Sequence, residues 1–232
     1  MAPTARGSKA RRPRRPLSRE RVLTEALALV DERGLGALTM RALAGRLHVE
    51  AMSLYNHVPG KQGLYDGIRG LLWDELRRAL ESGQTWQDSL RSIARCLRAI
   101  AHAHPNAFAL FFSGSTLDER MLRTLSRGLA MLDEGGFDRQ PAAQTLTAVV
   151  HYALGYAIME LSLRVALAPA SEDEDELETI VRLTRTLPTD APPELVRVAR
   201  DCCGADRDLQ FEFGLEALLA GLDPHCETHT SA

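Results

Sequence analysis

Cysteine is scarce and unpatterned in this chain. The four residues, Cys96, Cys202, Cys203 and Cys226, show no CxxC spacing, and neighbours such as Cys202 and Cys203 rarely bridge each other, which excludes a disulfide scaffold and points to reduced thiols. The N-terminus is basic but has no apolar h-region behind its arginines, and no stretch approaches the roughly 18 apolar residues of a membrane span. A cytoplasmic protein, neither exported nor membrane-inserted, is expected. Strand-like alternation, an internal repeat, and a nucleophile with its base at catalytic spacing are also missing, so the chain is not read as an enzyme. A metal centre has no better support, because His102 and His104 are two apart and fall on nearly opposite sides of a helix. Nothing calls for a metal or a cofactor. Cys202 and Cys203 suit oxidant sensing, and equally suit small residues buried near a helix end.

What is present is charge, unevenly placed. At 232 residues the chain suits one small module plus one larger domain, and its net charge of −3 conceals a division between them. Residues 1–80 hold 15 Lys/Arg against 8 Asp/Glu, a charge of +7, whereas residues 81–232 hold 13 against 23, a charge of −10. Only the first part suits a polyanion. Within it, residues 1–21 carry eight basic side chains (Arg6, Lys9, Arg11, Arg12, Arg14, Arg15, Arg19, Arg21) and one acid, Glu20. Such arms contact phosphates or the minor groove, or serve as solubilising tails. The segment Ser171 to Glu178 holds six acids in eight residues and reads as an exposed loop.

The periodicity is helical throughout, which predicts an all-α fold. Ser18 is a good N-cap, Leu17 and Val22 can form a hydrophobic staple, and Gly34 sits where a C-cap belongs, so a first helix is expected over 18–33. Thr39 caps a second over 40–47; a third, over 50–57, stops at Val58-Pro59-Gly60; a fourth runs 61–81. Further helices are expected over 86–104, 106–112, 117–134, 140–167, 174–187, 194–202 and 208–222, separated by His104-Pro105, Gly135-Gly136, Ala168-Pro169 and Pro192-Pro193.

Two short helices joined by a tight turn behind a longer one form the arrangement that lets a helix enter the major groove. At about 100° per residue, Leu54 and Val58 share an inward face of the third helix, Met52 and Asn56 point away, and Ser53, Tyr55 and His57 flank them. Asparagine pairs bidentately with adenine, serine bonds several base edges, and methionine lies against a thymine methyl, while Tyr55 and His57 are better placed for phosphates. Lys61 opposes the dipole at a helix start in isolation, but beside DNA the helix N-terminus and the ammonium would converge on one phosphate. A plain three-helix core with a solvated face is the competing reading.

The run Leu38-Thr39-Met40-Arg41-Ala42-Leu43-Ala44, then Leu47-His48-Val49-Glu50, then Ser53-Leu54-Tyr55-Asn56-His57-Val58 and Lys61, resembles the DNA-binding domain of the tetracycline-repressor (TetR) family over Leu17 to Trp73 without a gap. The resemblance implies that Thr39, Tyr55, His57 and Lys61 contact phosphates and that Arg41, Ala51, Met52, Ser53 and Asn56 face bases. Two departures stand out. His48 occupies the turn position where the family usually has glycine, and Ala51 offers no hydrogen bond, which shifts readout onto Arg41 and Asn56.

Beyond this module, the helix 140–167 is apolar nearly all round between Thr145 and Leu163, as expected of a helix covered on several sides. The last helix, 208–222, offers one stripe of Phe211, Leu215, Leu218 and Leu222 and another of Phe213, Ala217 and Ala220, more than one small domain buries. The resemblance implies that these two helices pair with their copies in a homodimer, and that this domain holds a small-molecule pocket. His102, Asn106, Phe111, His151, Tyr152 and Tyr156 are the candidate ligand residues; with Glu160, Phe108, Phe112 and Met159 they suit a largely apolar effector gripped by a few polar contacts. For each histidine or tyrosine, a core position with a locally satisfied hydrogen bond is the alternative.

The expected organisation is a basic arm (1–16), a DNA-binding domain (17–62), an effector-binding and dimerisation domain (63–222) and a tail (223–232), with the helix 61–81 linking the two domains. The expected function is a sequence-specific regulator, a repressor released from a palindromic operator by its effector; the alternative is an architectural DNA-binding protein without a ligand. Gly63, Gly67 and Gly70 each cost about 0.5 to 1 kcal/mol in a helix interior, which suggests close packing or bending. On that ground Gly67→Ala is expected to stabilise the fold and alter induction.

Overall fold

A computed structural model describes residues 16–81, 85–113, 119–166 and 206–222, with positions 181, 182, 192 and 194. The basic arm before Pro16, the acidic segment, nearly all of the helices expected over 174–187 and 194–202, Cys202, Cys203 and the tail lie outside the described residues. The fold is all-helical: α1 (Arg19–Arg33), α2 (Met40–Leu47), α3 (Ala51–Tyr55), α4 (Gly60–Leu80), α5 (Trp86–Ala103), α6 (Glu119–Glu134), α7 (Arg139–Ala166) and α8 (Arg207–Ala220). The chain divides into two compact units between Ile68 and Arg69, within α4.

The first unit is built as its end signals require. Ser18 Oγ accepts from the Arg21 N–H at 3.2 Å to start α1, and Gly34, at φ 78°, donates back to the Val30 carbonyl at 2.7 Å to end it. Thr39 Oγ1 accepts from the Ala42 N–H at 3.1 Å and starts α2. His48 closes α2 in the left-handed region, φ 56° and ψ 45°, so the turn keeps its geometry without glycine. Val22, Leu23, Leu29, Leu38, Leu43, Leu47, Leu54, Val58, Leu64 and Ile68 make the buried core. Between α1 and α2, Arg46 donates to Glu25 at 2.8 Å and to both carboxylate oxygens of Glu32 at 2.6 and 2.7 Å.

Three expectations need correction. The third helix is five residues long rather than spanning 50–57, because Pro59 commits the preceding backbone to an exit and the His57 and Val58 N–H groups both turn onto the Leu54 carbonyl, at 2.9 and 3.0 Å. The helix expected over 106–112 is a single 3-10 stretch, Phe108–Phe111, in which a period of three stacks Phe108 and Phe111 on one buried side. Gly67 is a close approach: a Cβ there would lie 2.2 Å from Leu23 Cδ2 and 2.8 Å from Cδ1, and Leu23 is buried. Alanine at 67 must therefore displace a packed core side chain, which reverses the expected gain.

The second unit packs α4 from Leu72 onward, α5, α6, α7 and α8 around Trp73, Leu76, Leu90, Leu97, Ile100, Leu132, Val149, Ala153, Ala157, Phe211 and Leu215. α7 also corrects the reading that no stretch nears membrane-span character. With no charge between Arg139 and Glu160, it is long and apolar enough to cross a membrane by length and composition. In the fold it is instead a core helix on one side, through Leu146, Val149, Ala153, Ala157 and the buried Glu160. Its other side exposes Ile158, Met159 and Val165, and α8 likewise exposes Leu209 and Phe213, the latter to 78%.

Candidate nucleic-acid interface and effector residues

α3 is anchored by one side chain. Leu54 is fully buried, which turns Met52 (74% exposed), Tyr55 (51% exposed) and Asn56 outward, with Ala51, Ser53 and His57 half-buried beside them. Arg41 and Thr39 are exposed at the start of α2. The Thr39 hydroxyl oxygen accepts its capping bond, which leaves the hydroxyl proton out of that bond. α4 begins at Gly60, with φ 74°, and the exposed Lys61 follows, its ammonium 5.4 Å from the Tyr65 ring centroid. A Cβ on Gly60 would sit 3.9 Å from Tyr55 Cε1, so Tyr55 flanks the N-terminus of α4. The phenol of Tyr55 and the ammonium of Lys61 thus both lie at the N-terminus of α4.

Arg46 does a different job. Its hydrogen bonds hold the Glu32 carboxyl below the usual range and raise its own affinity for the proton, so this cation clamps α2 to α1. The signal was in the sequence: Glu25 and Glu32, seven apart on α1, lie on one helix face.

The effector candidates fall in separate places. Tyr152 donates to the Phe211 carbonyl at 2.7 Å and Tyr156 to the Arg207 carbonyl at 2.9 Å, with both rings against Phe211, at 5.6 and 5.2 Å between centroids. Their hydroxyls hold α8, and burial raises both phenol pKa values. His102 Nε2 lies 2.8 Å from Glu160 Oε2, and Arg98 donates to both Glu160 oxygens at 2.8 and 2.6 Å and reaches Asp208 at 2.7 Å. Burial pushes the Glu160 carboxyl up, but the bonds from Arg98 and His102 outweigh it and keep the group below its ordinary value. Arg95, Arg98, Ala99, His102, Asp208 and Phe211 line an open recess of about 240 Å³ there. Phe111 is elsewhere, buried against Trp73 with ring centroids 4.4 Å apart, Asn106 is exposed on the turn after α5, and His151 is exposed on α7. Cys96 is half-buried, its thiol pushed up to about 11 by burial, which leaves it protonated and unreactive at neutral pH.

A short helix held by one buried leucine behind two others forms a helix-turn-helix unit, and a separate helical unit follows it. Residues 22–68 match the family model for bacterial regulatory proteins, tetR family, and residues 80–225 match that for the tetracyclin repressor-like C-terminal domain. The chain belongs to the TetR family. It is similar to the class D tetracycline repressor protein of Escherichia coli, at 29% identity over 89% of each chain. A crystal structure of a possible TetR family transcriptional regulator from Streptomyces coelicolor A3(2) aligns with a TM-score of 0.69 and 30% identity over 88% of this chain and 98% of its own. That of the Streptomyces coelicolor TetR family protein ActR in complex with actinorhodin aligns with a TM-score of 0.66 and 26% identity, covering 90% and 97%.

Proposed function

We propose that this regulator is a homodimeric repressor that reads a palindromic operator and leaves it when a small, largely apolar effector binds the second unit. The observation that carries the reading is the exposed face of α3, where Met52 and Asn56 stand outward over the buried Leu54. Arg41, Ala51, Met52, Ser53 and Asn56 face bases, Asn56 as the bidentate donor and acceptor. Thr39, Tyr55, His57 and Lys61 hold phosphates, and the basic arm 1–16 reaches a neighbouring groove.

Helices 140–167 and 208–222 pair with their copies, which covers Ile158, Met159, Val165, Leu209 and Phe213 and spaces the two reading helices about 34 to 36 Å apart for successive major grooves. The effector reading is supported by the ring-rich interior of the second unit, to which Phe111, Tyr152 and Tyr156 contribute while His102, Asn106 and His151 lie exposed on the same unit, and by the actinorhodin complex of the similar protein ActR. Its mechanism is a population shift: the ligand favours a dimer geometry that fits the operator poorly. The test is a mobility-shift and footprinting measurement on the DNA flanking the protein's own gene, against random competitor at fixed salt. A palindromic footprint released by an apolar compound is the expected result; binding with no preference over competitor would favour an architectural role.

A further inference from the structure

Among the described residues, the indole Nε1 of Trp73 is enclosed, out of contact with solvent, and has no hydrogen-bond partner. Tryptophan in a core ordinarily finds an acceptor, because an N–H stripped of water and left unpaired costs free energy. The residue sits on α4 one turn after Arg69, itself buried, whose guanidinium donates to the Ser113 carbonyl at 2.5 Å and ties the end of the 3-10 stretch to α4. That tie fixes the 3-10 stretch on α4, with Phe111 against the indole and two further phenylalanine rings against Phe111. Phe111 packs against Trp73, tilted by 35°; Phe108 lies 6.1 Å from Phe111; Phe112 meets Phe108 edge to face at 5.6 Å and lies 5.7 Å from Phe111. The outermost ring, Phe112, is 52% exposed. The exposed Phe112 thus borders the buried rings of Phe108 and Phe111, and Phe111 packs on the indole whose N–H is unspent.

We propose that this cluster takes a flat aromatic ligand carrying an oxygen acceptor, and that Trp73 Nε1 donates to that oxygen. The assignment rests on the reading of the second unit as an effector domain and adds the chemistry the effector must bring. Flat rings satisfy offset and edge contacts with Phe108, Phe111 and Phe112, Phe112 swinging aside to admit them, while a carbonyl or phenol oxygen removes the cost of the orphaned N–H. A hydrocarbon of the same shape makes the ring contacts alone.

The probes are 9-fluorenone and fluorene, which share a flat three-ring frame and differ by one carbonyl. Binding to the purified full-length protein is measured by fluorescence titration, for wild type and Trp73→Phe, and the indole N–H resonances are followed by NMR with the Trp73 signal identified as the one missing in the variant. Wild type should prefer fluorenone by about 3- to 10-fold, the worth of one neutral hydrogen bond. Trp73→Phe should erase the preference while keeping fluorene affinity within about twofold, since the ring stays aromatic. Fluorenone, and not fluorene, should move the Trp73 indole proton downfield, a readout independent of how well the variant folds. Equal affinities in wild type, a preference that survives in Trp73→Phe, or no binding of either probe overturns the assignment. None of these touches the effector reading, which fails separately if no apolar compound in a screen releases the operator.

Discussion

At the scale of single residues, the cations of the first unit divide by what they touch. Arg41 and Lys61 are exposed beside the reading helix, whereas Arg46 is spent on Glu25 and Glu32. Arg41→Ala should cost about 1 to 3 kcal/mol on the operator and little on random duplex, while Lys61→Ala should weaken both and lower the salt slope by about one. Fluorescence anisotropy across a salt series measures the difference, and equal losses on both DNAs for both variants would contradict the roles. Glu160 is the corresponding residue of the second unit. Because its carboxyl is held below the ordinary 4.5, its pairing contributes fully above that value and is lost as the pH falls through the lowered one. Glu160→Gln should cost about 3 kcal/mol at neutral pH, the low end for a broken buried pair, because Asp208 remains beside Arg98. It should also flatten the acid limb of the stability curve in urea melts from pH 3 to 7.

At the scale of elements, caps were readable and packing was not. Ser18, Thr39 and Gly34 announce the ends of α1 and α2 because each needs only a neighbour within four residues. Gly67 looked like a helix weakness because its reason, Leu23, lies 44 positions earlier and arrives only with tertiary contact. Gly67→Ala should therefore lower stability by about 1 to 2 kcal/mol, overpacking outweighing the helix-propensity gain. Leu23→Val should recover part of that loss in a double-mutant cycle; simple additivity would remove the contact from the account. His48 is the opposite case, a local strain the surroundings hold. His48→Gly should add about 1 kcal/mol in thermal melts by relieving the left-handed conformation, with operator affinity unchanged.

At the scale of the whole molecule, α7 and α8 leave apolar side chains that one chain does not cover. Phe213→Glu changes a side chain that is 78% exposed, so the fold should persist while sedimentation shows monomers and operator binding falls by orders of magnitude as the second half-site is lost. A dimer that survives the substitution would move the interface elsewhere. The sequence by itself determined the helical period, the caps, the inward Leu54 and outward Asn56 of the reading helix, and the division of charge, since all of these follow from short spacings along the chain. Only the tertiary structure decided that Tyr152 and Tyr156 spend their hydroxyls on α8, that Glu160 is met by Arg98 and His102, and that Trp73 keeps an unspent donor. Those outcomes depend on which backbone oxygen or side chain arrives opposite a residue from a helix tens of positions away, and periodicity says which face a residue is on, not what meets it there.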